Sequence, residues 1–208
     1  FKDLIRTALP KVIGLMDEGE KMLLENRIFI DRLENVGVIS AADAIGLSWT
    51  GPCLRATGVS YAVRKAHPYL KYDEVEFNVP VGTRGDTLDR FLVRLAECRE
   101  SYKILQQICD KMPDEGPVNT DDPRVMLPEK SEVYNTIEGT IQHFKIIMEG
   151  AKVPAGEVYS YTEAGNGELG FYIVSDGTGR PYKCHVRSPC FVIMQSLSKM
   201  IHGLGIAD

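Results

Sequence analysis

The sequence predicts a mainly helical α+β fold, a helical bundle core with a small antiparallel sheet. Three observations predict it. Apolar residues recur at helical spacing over about 11–25, 87–109 and 131–149. Short alternating stretches cluster between 157 and 186, and glycines and prolines fall between these segments. At 208 residues, 44% apolar and 25% charged, the chain can bury one substantial core, so residues 1–208 are expected to form one domain or part of one.

Val12, Leu15, Met16, Gly19, Met22 and Leu23 share one face of a helix over about 11–25. Ser40 followed by Asp43 predicts a capped short helix through Ile45. Gly46, Thr50, Gly51, Pro52 and Gly58 then interrupt regular structure, so the stretch to Pro68 is expected to be loop with a short helical turn. Val75, Phe77 and Val79 alternate with polar neighbours, the pattern of a half-buried strand ending at Pro80.

Asp86 or Thr87 is placed to cap the longest helix. Leu88, Phe91, Leu92, Leu95, Cys98, Tyr102, Leu105 and Cys109 hold its apolar face, and Arg90, Arg94, Glu97 and Glu100 occupy others. Residues 112–128 hold four prolines and four acidic residues, the composition of an exposed connection.

A helix over about 131–149 follows, with Ile137, Ile141, Phe144 and Met148 on one side and Gly150 as its stop. Strands are expected over 157–161, 170–175 and 182–186, the last two joined by the turn Asp176-Gly177-Thr178-Gly179. After Pro189, Val192, Ile193, Leu197, Met200 and Ile201 predict a final helix, ended by Gly203 and Gly205.

Composition excludes several classes. A net charge of −5 with dispersed Lys and Arg offers no basic tract to gather counterions from nucleic acid. Apolar runs are far shorter than the roughly 20 residues that span a bilayer, so any work at a membrane passes through a partner. Phe1 begins no signal segment.

Cys53, Cys98, Cys109, Cys184 and Cys190 form no C-x-x-C pair and read as reduced thiols in a cytosol-like compartment, with Cys98 and Cys109 packed on a helix as small hydrophobes. His67, His143, His185 and His202 lack metal-ligand spacing. No nucleophile elbow, Walker motif or dinucleotide fingerprint occurs.

The loop from Val79 to Asp86 sets Arg84 and Asp86 beside two glycines at a helix start, where free backbone N–H groups suit an anion. The same residues equally suit an Arg84 salt bridge and an Asp86 cap. Arg90 and Arg94, with Glu97 and Arg99 nearby, read either as a charged subunit interface or as a solvated face laced with ion pairs. Arg55, Arg64 and Lys65 suit either an interface or plain surface.

Four ordered blocks go further: TGPCLRATGVSYAVRKAHPY from Thr50, YDEVEFNVPVGTRGDTLDRFLVRLAECRESYKI from Tyr72, HFKIIMEGAKVPAGEVY from His143, and TEAGNGELGFYIVSDGTGRPYKCHVRSPC from Thr162. Together they resemble the D-type (49 kDa-type) subunit family of respiratory complex I, NADH-quinone oxidoreductase, and more distantly the large subunits of nickel-iron hydrogenases. The resemblance implies a hydrogenase large-subunit-like domain. It also implies a subunit that binds no cofactor itself and helps shape a quinone-reduction chamber beside the subunit bearing the terminal iron-sulfur cluster, coupling electron transfer to ion pumping.

FMN and the iron-sulfur clusters would belong to partner subunits, with quinone the substrate of the assembly. The implied partners are the B-type, C-type and membrane-anchoring H-type subunits. The implied location is the peripheral arm on the cytoplasmic face of a bacterial inner membrane, or the matrix side in a mitochondrion.

The family's quinone-contacting tyrosine and histidine are expected upstream of Phe1, and its C-terminal segment beyond Asp208. The piece would then be inactive alone, and no catalytic residue is assigned. Arg84, Asp86, Glu163 and Arg187 are the candidates for ordering the chamber wall, each a charge beside a glycine or proline turn or at a strand end. Where the hydrogenase segment reads Glu-Ala-Pro-Arg-Gly, with its arginine above the metal centre, this chain has Glu163-Ala164-Gly165-Asn166-Gly167. Asn166 in place of that arginine argues against a metal site and leaves Glu163 as a functional carboxylate or a buried turn anchor. The alternatives are a nickel-iron hydrogenase large-subunit relative and a structural assembly module.

Overall fold

In the computed structural model, which describes residues 1–205, the chain divides into two compact units. The first comprises Phe1–Met112, Tyr161–Leu169 and the chain from Ser188 onward; the second comprises Pro113–Ser160 and Gly170–Arg187. Together they make a helix-rich α+β protein with a three-stranded sheet.

Helix α1 (Lys2–Leu24) opens the first unit, with α2 (Arg27–Leu33) after the Asn26 cap. The helix expected over 11–25 therefore starts at Lys2, with Pro10 inside it. A proline interrupts the sequence signal, yet here it removes a single intrahelical donor. Ion pairs Arg6–Asp110 at 2.9 Å and Arg99–Asp17 at 2.8 Å, with a further Arg99–Glu20 pair, fasten α1 along the longest helix.

Ser40 caps α3 (Ala41–Gly46) by accepting from the Asp43 N–H at 3.1 Å. The glycine-rich stretch beyond holds two short helices, α4 (Gly51–Arg55) and α5 (Val63–Ala66). Ile39, Ala44, Trp49, Cys53 and Leu54 form the main core, with Ile193 and Met200 packed on it.

Residues 75–79 are no strand. Val75 and Phe77 are buried against Ile104, as the alternation predicts, but the backbone pairs with helix side chains. Glu76 N–H donates to Gln107 Oε1 at 2.9 Å, Gln107 Nε2 to Glu76 O at 2.7 Å, and Asn78 N–H to Glu100 Oε2 at 2.8 Å. Alternation reports which side is buried; the identity of the hydrogen-bond partner is decided elsewhere.

Those partners lie on α6 (Thr87–Lys111), capped by Asp86. Its buried residues are Arg90, Val93, Glu100, Ile104 and Cys109, so of the expected apolar face Cys109 alone is fully buried and Cys98 is exposed. Two of the five buried residues, Arg90 and Glu100, are charged. The expected apolar stripe is half-covered in places, as where Phe91 meets Phe29 edge to face at 5.3 Å.

The final helix is two, α9 (Pro189–Met194) and α10 (Leu197–Ile201). They are split at buried Ser196, whose hydroxyl donates to Ile193 O at 2.5 Å.

In the second unit, residues 113–128 are irregular, as their prolines predict. The helix expected over 131–149 is α7 (Lys130–Asn135) followed by α8 (Ile137–Met148). Thr136 breaks it, since its hydroxyl accepts from the Gly139 N–H at 3.0 Å and recaps the chain.

The strands are β1 (Gly156–Ala164), β2 (Gly167–Ser175) and β3 (Lys183–Arg187), in the order β1-β2-β3. β2 and β3 are antiparallel, with Gly170 opposite Arg187 and Ile173 opposite Cys184. β1 and β2 run longer than expected and β3 is shifted by one residue; Glu163 and Ala164 are strand, with the turn at Gly165 and Asn166. Residues 161–169, the tip of the β1–β2 hairpin, belong to the first unit.

Candidate functional site

The first and fourth sequence blocks meet in the first unit. A Cβ on Gly51 would lie 2.3 Å from the Gly167 Cα, and both glycines have positive φ, +68° and +131°. Only paired glycines allow this backbone contact without strain. Thr50 Oγ1 accepts from the Glu168 N–H at 3.0 Å and fixes the hairpin tip over the start of α4.

Arg55, at the end of α4, is the centre of the arrangement this creates. Its side chain is 1% exposed, and it pairs with Glu97 of α6 at 2.5 Å and Glu163 of β1 at 2.9 Å. Its remaining Nη donates to Tyr61 O at 2.9 Å. The second Glu163 oxygen accepts from the Val63 N–H at 2.8 Å, and the Glu163 N–H donates to the Tyr69 hydroxyl at 3.1 Å. Burial raises the Tyr69 phenol above its ordinary value despite the hydrogen bond from Glu163.

One cation held between two carboxylates joins α4, α6 and the hairpin tip. Such a buried cluster contributes little net stability over an apolar replacement, but removing one member strands a charge.

The Val79–Asp86 loop is tied to the same helix end. Gly82 N–H donates to Arg55 O at 2.9 Å, and Gly85 N–H to Ala56 O at 3.1 Å. Asp86 is fully buried, accepting from the Asp89 N–H at 2.7 Å and the Asn35 N–H at 2.9 Å. Arg84 is half exposed and pairs with Glu34. Asp89 accepts from the Thr83 and Arg84 N–H groups at 2.7 and 2.6 Å, so a carboxylate of the chain itself occupies the amides that the anion-cradle reading requires.

Farther along α6, Arg90 donates to Gly85 O at 3.0 Å, Gly37 O at 2.9 Å and Thr87 Oγ1 at 2.8 Å. Arg94 donates to Arg90 O at 2.9 Å and Cys53 Sγ at 3.3 Å. Burial pushes the Arg90 guanidinium below its ordinary value, which Cys53 and Asp86 partly offset and Arg94 reinforces.

Among the four residues singled out from sequence, Asp86 and Glu163 are buried and linked through α4, Arg84 stands on the surface of the same loop, and Arg187 ends β3 in the second unit. Arg55 and Arg90, read from sequence as surface or interface residues, are 1% and 9% exposed. The signal was present: Arg90, Val93, Glu97, Glu100 and Ile104 share one helical stripe, so the charges lie among core residues.

Among the described residues no three His, Cys, Asp or Glu side chains are grouped to hold a metal, and no helix is long and apolar enough to cross a membrane.

Residues 1–208 match the family described as "Respiratory-chain NADH dehydrogenase, 49 Kd subunit". Similar relatives include a D-type subunit of NADH-quinone oxidoreductase from Sorangium cellulosum, 61% identical over 208 residues, all of this chain and 52% of the relative. The D-type subunit of NADH-quinone oxidoreductase from Myxococcus xanthus is 54% identical over 204 residues, 98% of this chain and 49% of the relative. A combined C/D-type subunit of NADH-quinone oxidoreductase from Bdellovibrio bacteriovorus is 51% identical over 192 residues, 92% of this chain and 34% of the relative. The chain spans about half the length of the first two.

Proposed function

Because this chain belongs to the 49 kDa subunit family of the respiratory-chain NADH dehydrogenase, we propose that it serves as a cofactor-free portion of an NADH-quinone oxidoreductase subunit that shapes the quinone-reduction chamber. The observation that carries this reading is the family match over all 208 residues. In this reading FMN and iron-sulfur clusters of partner subunits carry electrons from NADH to quinone, which takes up two electrons and two protons. The chain supplies a rigid wall beside the terminal cluster subunit and passes the redox event to an ion-pumping membrane arm.

Its partners are the B-type, C-type and H-type subunits; the combined C/D-type relative supports the C-type contact. The architecture is hydrogenase large-subunit-like, and the location is the peripheral arm on the cytoplasmic face, or the matrix side in a mitochondrion. Quinone reduction belongs to the assembly, and the piece alone is inactive.

Asp86 and Glu163 are the members of the candidate set best built to order such a wall. Asp86 ties the α6 start to Asn35, and Glu163 ties the hairpin tip to Arg55 and Val63. Arg84 and Arg187 are proposed for the wall's surface.

The test is gentle purification of the full-length protein from its native membranes, with assay of inhibitor-sensitive NADH-quinone reduction and of iron and nickel. Activity with iron and without nickel is the expected result. Nickel with hydrogen-dependent dye reduction overturns the reading in favour of a hydrogenase relative.

A further inference from the structure

Just beyond α5, in the first unit, the backbone is strained at Leu70. Its φ is +53°, in the left-handed region that bulky side chains avoid, and its side chain is 88% exposed, so it gains little packing to offset the strain. Leu70 holds the first central position of a turn closed by the Tyr72 N–H donating to Tyr69 O at 3.2 Å. Glycine is the usual residue for a positive φ there.

The residues around Leu70 grip the hairpin tip. His67 meets Tyr161 edge to face at 5.9 Å, and the Tyr69 hydroxyl accepts from the Glu163 N–H at 3.1 Å, so residues two apart in this segment engage residues two apart in β1. Tyr69 also meets Tyr72 edge to face at 4.9 Å across the turn. The turn at Leu70 therefore sets the two rings together and fixes the phenol against the Glu163 amide.

The Glu163 carboxylate is held separately, by Arg55 and by the Val63 N–H. Only the amide depends on the turn. A single hydrogen bond and an aromatic contact bring a gain of the same order as the cost of a bulky residue at positive φ, so two arrangements of similar free energy follow. We propose that residues 67–72 form a strained latch on the hairpin tip, closed by the Tyr69–Glu163 bond and opened by relaxation of Leu70 to negative φ. Opening frees the Glu163 amide while Arg55 and Val63 keep its carboxylate, so the tip loosens without leaving α4. The latch rests on contacts within the first unit and not on the proposed function.

The test is hydrogen exchange on the full-length subunit in its complex, resolved to the Glu163 amide by mass spectrometry, with the amide of fully buried Ala44 as reference. Glu163 is expected to be much less protected than Ala44, because a local opening suffices to expose it. Leu70→Gly, which removes the strain, is expected to raise its protection roughly tenfold, and Leu70→Ile, whose branched Cβ resists the positive φ, to lower it by a similar factor. Tyr69→Phe removes the acceptor and is expected to lower protection and cancel the effect of Leu70→Gly. If Tyr69→Phe prevents assembly, the two Leu70 variants decide. Equal protection of Glu163 and Ala44, or protection of Glu163 that neither Leu70 variant moves, overturns the latch.

Discussion

Arg55 and Arg90, the latter with a partly buried Arg94 beside it, are buried cations in one compact unit, yet their electrostatics are opposite. Arg55 has two carboxylates, one from α6 and one from the hairpin tip, and a backbone carbonyl. Arg90 and Arg94 have neutral acceptors and repel one another. The first site pairs its cation with two carboxylates and works as a fastener between elements. The second sets two guanidiniums beside an apolar groove, with Asp86 offsetting part of the cost of burying Arg90.

The contrast can be broken most forcefully at Arg55. In the full-length subunit, Arg55→Met is expected to cost about 3–5 kcal/mol in denaturant unfolding, because Glu97 and Glu163 are left buried without a cation. A midpoint shift below about 1 kcal/mol would show that water reaches the two carboxylates. Replacing all three charges with apolar residues is expected to recover most of the loss.

Gly51→Ala tests the contact that holds Glu163 in reach. The new Cβ would meet the Gly167 backbone at 2.3 Å and a φ of +68°, so a loss of roughly 2–4 kcal/mol is expected by the same measurement.

At the second site, Asp86→Ala removes the carboxylate that most offsets Arg90 after Cys53, and it orphans the Asn35 and Asp89 N–H groups. Loss of a cap and a buried partner predicts about 1–3 kcal/mol, and Asp86→Asn should recover part of it.

Glu100 sharpens the comparison through pH. Burial opposes its ionisation, but Lys103 and the Asn78 N–H outweigh burial and hold its carboxyl below the ordinary value of 4.5. The folded form therefore binds its proton less readily than the unfolded chain, so its contribution is full above pH 4.5 and is lost as pH falls through the folded value. Glu100→Gln should flatten the acid limb of the stability curve, and an unchanged limb would contradict this. Arg84→Ala, which breaks a half-exposed pair with Glu34, is expected to leave the denaturation midpoint unchanged within error.

Much of this molecule was legible in its residues. Helix caps at Ser40 and Asp86 followed from side-chain oxygens placed to accept backbone N–H groups, and the prolines of 112–128 predicted an irregular connection. The antiparallel β2–β3 pairing followed from alternation around a glycine turn. Elsewhere local pattern misled for definite reasons. Thr136 split a helix by recapping it, and Pro10 failed to stop one because α6 holds α1 in place through Arg6 and Arg99.

What the sequence determined by itself was the helical and strand character of most segments, the connection over 112–128 and, through four blocks of residues, the family, because these rest on local periodicity and residue order. What only the tertiary structure decided was where residues 75–79 find their hydrogen bonds, and that Arg55 lies between Glu97 and Glu163. A charge outside a long helical stripe, such as Arg55, carries no mark of burial along the chain. Its environment is set by partners as distant in sequence as Glu163 is from Arg55, brought together by the glycine contact that lets the hairpin tip approach α4.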